Sequence, residues 1–471
     1  MSNLPKISDL SDWYNEVVTK AELACHGPVR GTMVIRPYGC AVWEIIQKKL
    51  DERIKATGHQ NAIFPLLIPE SFLHKEAEHV EGFSPELAVV THAGGKKLEE
   101  PLVIRPTSET IIYSMFAQWI KSWRDLPLKL NQWANVVRWE MRPRLFLRTT
   151  EFFWQEGHTA HETSLEADIE AELMINEYSN LLQDLLAIPV FMGKKSNSEK
   201  FAGAEYTLTC EAIMPDGKAL QMCTSHRIKQ QFGTAFKIQF QDKTGNLAYP
   251  YYTSWGFTTR SIGALIMMHG DDRGLILPPN VAPYQVVIIP IIRQDTKEIV
   301  MACVEQLQKD LKDFRVYVDD TDERPGAKFY NWELKGVPLR LEIGARDVLN
   351  EECTLVSRAN SQKSIVKLAN IKTIISDILH NLQAELLETA QTRTHNLVKD
   401  SADLDCFQDI LETNSAIRTY WCGDHKCEAQ LKRYQASIRC ILESFTANNI
   451  EHKCFACSEL GLNLVLLAKS Y

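Results

Sequence analysis

Ile104-Arg105-Pro106-Thr107-Ser108-Glu109, Val136-Val137-Arg138-Trp139-Glu140 and Arg148-Thr149-Thr150-Glu151-Phe152-Phe153-Trp154-Gln155-Glu156-Gly157-His158 form the stretch that decides the fold. Residues 136–140 are rich in β-formers and follow Asn135, which predicts a strand. Residues two apart on a strand share a face, so Arg138 and Glu140 are expected side by side. Residues 150–154 predict a second strand, and Arg142-Pro143-Arg144 between them cannot continue a ladder, so it reads as a loop. Two antiparallel strands with an arginine-rich loop hold permanent positive charge over a sheet floor. Arginine keeps its proton and its planar fork matches phosphate bidentately. A solvated basic hairpin over an aromatic core would carry the same residues. The glycine-loop patterns GxxxxGK[ST] and GxGxxG are absent, which removes support for the common nucleotide folds.

Outward from that stretch, 471 residues allow two to four domains and a sizeable core. The chain is 45% hydrophobic and 24% charged, as in ordinary globular proteins. Its formal net charge is −8, so any nucleic-acid contact has to come from a local basic face. No apolar run reaches membrane-spanning length, and Met1-Ser2-Asn3-Leu4-Pro5-Lys6 has no apolar signal core. The expectation is a cytoplasmic protein with no membrane partner. Of twelve cysteines, Cys25, Cys40, Cys210, Cys223, Cys303, Cys353, Cys406 and Cys440 are scattered, as buried thiols of a reducing compartment are. Cys422-x4-Cys427 and Cys454-x2-Cys457 are close pairs, the pattern of a structural Zn²⁺ site, although disulfides would use the same residues. His425, His452 and Cys440 are alternative ligands.

Upstream, Ser11-Asp12 predicts a helix through residue 24, and Val42, Ile45, Ile46, Leu50 and Ile54 mark an amphipathic helix over 41–56. Residues 62–69 predict a strand interrupted by Pro65. His74-Lys75-Glu76-Ala77-Glu78-His79 reads as a metal pair or as a solvated helix face, and its order is not HExxH. Gly94-Gly95 predicts a hairpin turn. Downstream come a helix over 165–187, a strand pair around 206–212, and a helix over 262–269 after Trp255-Gly256-Phe257-Thr258-Thr259-Arg260. From Tyr284 the pattern becomes strand, helix, strand, with an unbroken apolar run over 285–292, which predicts a separate α/β domain. Its loops hold Asp322, Glu323, Arg324, Lys328, Trp332, Glu333 and Lys335, suited to splayed RNA bases or to solvent alone. Residues 371–397 predict a helix with Leu379, Leu382, Leu386 and Leu387 as a packing stripe.

The Arg138-x-Glu140 strand pair resembles motif 2 of the class II aminoacyl-tRNA synthetases. The helix and proline-broken strand upstream resemble motif 1, the dimer-forming element, and Trp255 to Arg260 resembles motif 3. Arg105-Pro106-Thr107-Ser108-Glu109 followed by Trp154-Gln155-Glu156-Gly157-His158 is similar to the prolyl-tRNA synthetases in particular. Pro325-Gly326-Ala327-Lys328-Phe329 and Lys335-Gly336-Val337-Pro338-Leu339-Arg340 resemble the class IIa anticodon-binding domain. The interval from His158 to Gln221 is too short for the bacterial-type editing insertion, and the paired cysteines resemble a zinc-bearing C-terminal domain, so the resemblance is to the archaeal and eukaryotic type. Cys223 stands where the family usually has glycine, and Ile228-Lys229-Gln230-Gln231 also departs, whereas Thr224 and His226 match.

The resemblance implies an α+β multidomain fold: a class II antiparallel-sheet catalytic domain over 1–283, an α/β anticodon-binding domain over 284–395 and a small α/β zinc domain over 396–471. It implies a homodimer acting on L-proline, ATP with Mg²⁺, and tRNA(Pro). The implied proline pocket is Thr107, Glu109, Arg138, Trp154, Glu156, His158 and His226. The implied ATP residues are Arg138, Glu140, Thr149, Thr150, Gln221, Thr224, Thr258 and Arg260, with Arg138 and Arg260 catalytic. Glu323, Arg324, Lys328, Lys335 and Glu342 are implied anticodon contacts, residues 74–83 a mobile loop beside the substrate, and Tyr471 a terminus tucked near the catalytic domain. Proline's own carboxylate is the first nucleophile of such a reaction, so no Ser, Cys or His nucleophile is required, and none is arranged here. Without an editing domain, slow activation of alanine and of cysteine is expected. Threonyl-, seryl- and histidyl-type enzymes share the fold but not these signatures. A non-catalytic paralogue or a zinc-stabilised scaffold would have no use for both arginines.

Overall fold

The computed structural model describes residues 4–73, 87–446 and 452–471. The His74 to His79 segment and Phe83 lie outside the described residues. Helix α1 (Leu10–Lys20) starts where the Asp9 carboxylate accepts from the Asp12 N–H, and it buries Trp13, Tyr14, Val17 and Val18. It ends short of the predicted residue 24, because residues 24–26 pair as a strand with 33–35. Helix α2 (Pro37–Ala56) begins earlier than its apolar period suggests, with Pro37 in the first turn, where no N–H is needed. Gly39 lies inside it: a Cβ there would meet the Leu23 carbonyl oxygen at 2.2 Å, so only glycine lets the helix approach that backbone. Val42, Ile46, Leu50 and Ile54 form its buried stripe, each worth about 1.5–3 kcal/mol of transfer free energy. Helix α3 (Glu109–Trp119) buries Ile112, Tyr113 and Phe116.

Six strands make the catalytic sheet: β1 (Leu128–Val137), β2 (Glu151–His161), β3 (Phe191–Lys194), β4 (Ala204–Ile213), β5 (Ala219–Ile228) and β6 (Tyr251–Thr258). Their order is β3-β4-β5-β6-β2-β1 and every pairing is antiparallel. Helix α4 (Ser164–Asp184), opened by a Thr163–Glu166 capping box, covers one face with Ala171, Met174, Ile175 and Tyr178. The other face carries the site, and helix α5 (Arg260–His269) closes the unit.

Two local expectations are corrected. The first strand of the central pair begins at Leu128 and ends at Val137, so Arg138 and Glu140 lie past the ladder and not on a strand face. Arg138 N–H still donates to the Thr150 carbonyl at 2.8 Å before the chain turns into the loop. Residues 62–66 form no ladder: only Gln60–Asn61 and Leu67–Pro69 pair, because Pro65 interrupts the run. The Gly94-Gly95 turn is as expected, with φ of +59° and +76° between two antiparallel strands.

The second unit is a five-stranded sheet in the order Val316–Val318, Val286–Ile291, Leu339–Gly344, Glu352–Ser357, Lys363–Lys367. Val286–Ile291 is parallel to both neighbours, which explains its unbroken apolar run. The helix Ile371–Leu397 continues past the expected boundary at 395 into the third unit. There, strand Ser437–Ser444 meets β3 with Ile441 opposite Lys194, so the C-terminal sheet extends the catalytic one. A buried ion cluster spans this seam. Glu211 accepts from Lys195 Nζ at 2.7 Å and from Arg439 at 3.0 and 3.1 Å. Removing either cation would leave one Glu211 oxygen without its charged partner while the other cation still balances the charge. Residues 469–471 then run along the start of β5, where the Ala219 N–H donates to the Lys469 carbonyl at 2.8 Å, and Tyr471 packs on the catalytic core beside Arg144.

Buried histidines make the fold acid-sensitive, and two of them, His161 and His269, lie outside the lining of the site cavity. Burial pushes His161 and His269 down to about 4, against the opposing pull of Glu170 on the first and of the Leu186 carbonyl on the second. Unfolded, each takes up a proton near pH 6.5, so their contribution is present above that pH and is lost as pH falls to about 4. Stability is expected to drop by about 1.4 kcal/mol per pH unit for each differential proton in that window. Urea-unfolding midpoints between pH 7 and pH 4 check this, and a flat profile contradicts it.

Candidate active site

The exposed face of the sheet and the β1–β2 loop enclose a cavity of about 410 Å³. Its lining includes Thr107, Glu109, Arg138, Glu140, Thr149, Trp154, Glu156, His158, Gln221, Thr224, His226, Thr258 and Arg260, which brings together all but one of the residues implied for proline and ATP. Thr150 is the exception. It is buried behind the loop, where its hydroxyl accepts from Glu140 N–H and its own N–H donates to the Gly31 carbonyl at 2.8 Å. Its place beside Thr149 in sequence could not reveal that difference.

At one end lie the two arginines. Arg138 extends over the rings of Phe152 and Trp154 at 5.5 and 5.7 Å, with its Nε donating to the Pro106 carbonyl at 3.0 Å. Arg260 starts α5 and donates to the carbonyls of Leu147 and Gln221 at 3.3 and 3.2 Å. Burial, with Arg138 nearby, lowers Arg260 to about 10, so it stays protonated at neutral pH and the pair favours anions. Glu140 is not free to repel them, because its carboxylate takes Arg148 Nε at 2.9 Å and the Arg142 N–H at 2.7 Å.

At the other end the Thr107 hydroxyl donates to Glu109. Glu156 is buried and accepts from Ser108, from Gln132 at 2.5 Å and from the His158 ring at 3.2 Å. Strand alternation sends His226 and Thr224 to this face of β5, and Thr207 and Thr224 hydroxyls hold the two ring nitrogens of His226 at 2.8 and 3.0 Å. Burial pushes His226 down to about 4, with Glu109 pulling upward, so the ring is neutral and adds no positive charge beside Glu109. Cys223 packs with Cys210 and Tyr178 under α4 and is also among the residues that line the cavity. Gly157 has a clear reason, since a Cβ there would meet the Trp255 ring at 2.0 Å. Trp154 Nε1, His158 Nδ1 and Ser254 Oγ, on residues that line the cavity, are buried and have no protein hydrogen-bond partner. Such atoms suit a polar ligand. Sequence reasoning missed Ser254, Thr207, Lys195, Glu199, Lys200 and Phe201, which carry no motif of their own, and gave no role to Phe152 or Trp255 within the motifs quoted.

The four paired cysteines converge. Cys422 Sγ lies 3.7 Å from Cys427 Sγ and 3.9 Å from Cys457 Sγ, and all four sulfurs are within 4.8 Å of one another. A tetrahedral ion with Zn–S bonds of about 2.3 Å needs sulfurs about 3.8 Å apart, so the donor set fits Zn²⁺. His425 is exposed beside Asp424, His452 stacks on Tyr420 and Cys440 is buried elsewhere, so none of the three belongs to the set.

Of the implied anticodon residues, Glu323 and Arg324 are exposed. Lys328 is buried, with Nζ donating to the Asp319 carbonyl at 2.8 Å. Lys335 pairs with Glu22 of the first unit at 2.6 Å, and Glu342 is buried against Arg340 at 2.8 Å. Among the described residues, no helix is long and apolar enough to cross a membrane.

A twisted antiparallel sheet with an arginine from the β1–β2 loop facing an arginine at the start of α5 is the catalytic architecture of a class II aminoacyl-tRNA synthetase, and residues 91–269 match the family model for the tRNA synthetase class II core domain (G, H, P, S and T). Residues 285–378 match an anticodon binding domain, and 404–471 match the prolyl-tRNA synthetase C-terminal domain. The chain belongs to the prolyl-tRNA synthetase family. It is 50% identical over 468 residues to proline–tRNA ligase 2 of Clostridioides difficile strain 630, covering 98% of this chain and 96% of that one. It is 48% identical over 471 residues to the proline–tRNA ligase of Alkaliphilus oremlandii, covering 99% and 97%. The crystal structure of prolyl-tRNA synthetase from Cryptosporidium parvum complexed with halofuginone and AMPPNP superposes with a TM-score of 0.94 at 41% identity, over 100% of this chain and 99% of that one.

Proposed function

We propose that the cavity joins L-proline to ATP, giving prolyl-adenylate and pyrophosphate, and that the prolyl group then passes to the 3′ end of tRNA(Pro). The observation that carries this reading is the polarity of one cavity: two guanidiniums at one end, and Glu109 beside a neutral His226 at the other. Proline's carboxylate attacks the α-phosphorus and the bond to pyrophosphate breaks. The protein's task is to bring two anions together and to offset charge growing on the α-phosphate. Arg138 bridges carboxylate and α-phosphate, and Arg260 meets the distal phosphates. Glu140, Thr149, Gln221, Thr224 and Thr258 surround adenosine, with the Phe152 ring offering an aromatic face to the base. Thr107 and Glu109 receive proline's secondary ammonium, and Trp154, Glu156, His158 and His226 shape the ring pocket.

Mg²⁺ neutralises ATP phosphates when bound. The Glu140 oxygens are engaged by Arg148 and the Arg142 N–H, so Glu140 would be a weak ligand for that ion. We assign the Cys422, Cys427, Cys454 and Cys457 cluster to one structural Zn²⁺. Together with the short interval between β2 and β5, it favours the archaeal and eukaryotic type without an editing insertion. We further propose three functional domains, over 1–283, 284–395 and 396–471, and a homodimer in the cytoplasm. Support for the dimer is Ile63, 93% exposed in the motif 1 segment. Glu323 and Arg324 are the exposed members of the anticodon set, while Lys328, Lys335 and Glu342 contribute by holding that surface in shape.

A ring pocket rejects larger residues by sterics but holds alanine with two methylenes missing, each worth about 1–3 kcal/mol. Alanine-dependent pyrophosphate exchange is expected at about 10²–10⁴ below proline in kcat/KM. Undetectable alanine exchange would contradict the pocket as described.

A further inference from the structure

The cavity wall made by residues 195–201 is held from outside by the C-terminal domain. The segment leaves β3 and re-enters at β4, with the Glu199 and Lys200 N–H groups bonded to the Ser196 carbonyl at 3.2 and 2.9 Å. Lys195, Glu199, Lys200 and Phe201 face the cavity. Phe201 lies against the His226 ring, centroids 5.0 Å apart, and its N–H donates to the Thr207 hydroxyl that also holds His226. On the far side, Ser196 and Ser198 hydroxyls both donate to Glu428, to separate carboxylate oxygens, at 2.6 and 2.5 Å. Glu428 follows Cys427 of the thiol cluster directly, on the helix His425–Ala429. The same segment is tied at its start by the buried Lys195–Glu211–Arg439 cluster, whose arginine also comes from the C-terminal domain.

We propose that Glu428 is a positioning residue for the amino-acid end of the cavity. It clamps the 195–201 wall so that Phe201 holds His226, and it thereby sets proline affinity from a domain that contributes no lining residue among the described residues. This rests on the assignment of the Glu109 and His226 end to proline. A carboxylate accepts both hydroxyls at once, whereas an amide accepts one and must meet the other with its NH2, reproducing the clamp in part, and alanine reproduces none of it. The clamp therefore acts on the wall's position, and not on the charge of the site.

The test is steady-state ATP–pyrophosphate exchange on the full-length chain with Glu428→Ala, Glu428→Gln and the Ser196→Ala/Ser198→Ala double variant. Glu428→Ala is expected to raise KM for proline about 10-fold, with KM for ATP within about two-fold of the parent, and Glu428→Gln to lie between. Combining Glu428→Ala with the double serine variant is expected to add nothing further. Equal rises in both KM values, a fall in kcat alone, additive effects, or no change at all would overturn the proposal. Glu109→Gln separates the two readings: if it leaves KM for proline unchanged, the assignment of the proline end fails, and if it raises KM while Glu428→Ala does not, only the clamp fails.

Discussion

Replacing Arg138 with alanine is expected to lower proline-dependent ATP–pyrophosphate exchange by about 10³-fold or more while leaving the fold intact. The side chain spans from the aromatic floor of Phe152 and Trp154 to the Pro106 carbonyl, so it is preorganised where the two anions of the reaction have to meet. Loss of one preorganised donor in such a site typically costs about 10²–10³ in rate, and here one residue serves both carboxylate and α-phosphate. Lysine should not restore the activity, because a point charge cannot present two parallel N–H groups to two oxygens. The fold should survive, since Arg138 lies beyond the end of β1 and is only half-buried. Thermal unfolding beside the exchange assay separates the two effects. An alanine variant with near-normal exchange would remove the arginine pair from the mechanism.

Loss of any one thiol of the cluster is expected to have the second large effect, on stability. Cys454→Ser should take bound zinc from about one ion per chain to none, because a structural site needs four ligands, all four here are thiolates, and serine is a poor ligand for the ion. Structural zinc contributes roughly 10–16 kcal/mol of apparent binding free energy in small domains, far more than the small core around Phe407, Trp421, Phe455 and Val465 can replace. Hydrogen exchange should therefore rise across residues 404–471 while the catalytic sheet stays protected, apart from β3 at the seam. Metal analysis and exchange mass spectrometry measure both quantities. A metal-free variant with parental protection would show that the sulfurs hold no structural ion.

The readable parts of this chain were those with a local period or a rigid residue. The apolar stripes of α2 and of the helix Ile371–Leu397 follow from spacing alone, as does the Gly94-Gly95 turn. The central site residues were legible through their resemblance to the class II motifs, since two arginines and a glutamate among aromatics would also fit a solvated basic hairpin. What stayed hidden depends on tertiary placement. Thr150 and Thr149 are neighbours of one type, yet only one faces the cavity. Lys328 and Lys335 read as free cations in a loop, but Lys328 lies on the helix Pro325–Leu334 and is held by the nearby Asp319, and Lys335 is engaged by Glu22, which is distant in sequence. The wall at 195–201 has no signature because its function comes from Glu428, more than two hundred residues downstream.

The central claim is that one cavity selects proline and activates it with ATP. ATP–pyrophosphate exchange with each of the twenty amino acids on the zinc-loaded full-length chain tests it most directly. The account predicts strong exchange with proline, slow exchange with alanine and with cysteine, and none of it with Arg138→Ala. Stronger exchange with another amino acid, or none at all in a folded protein, would contradict it.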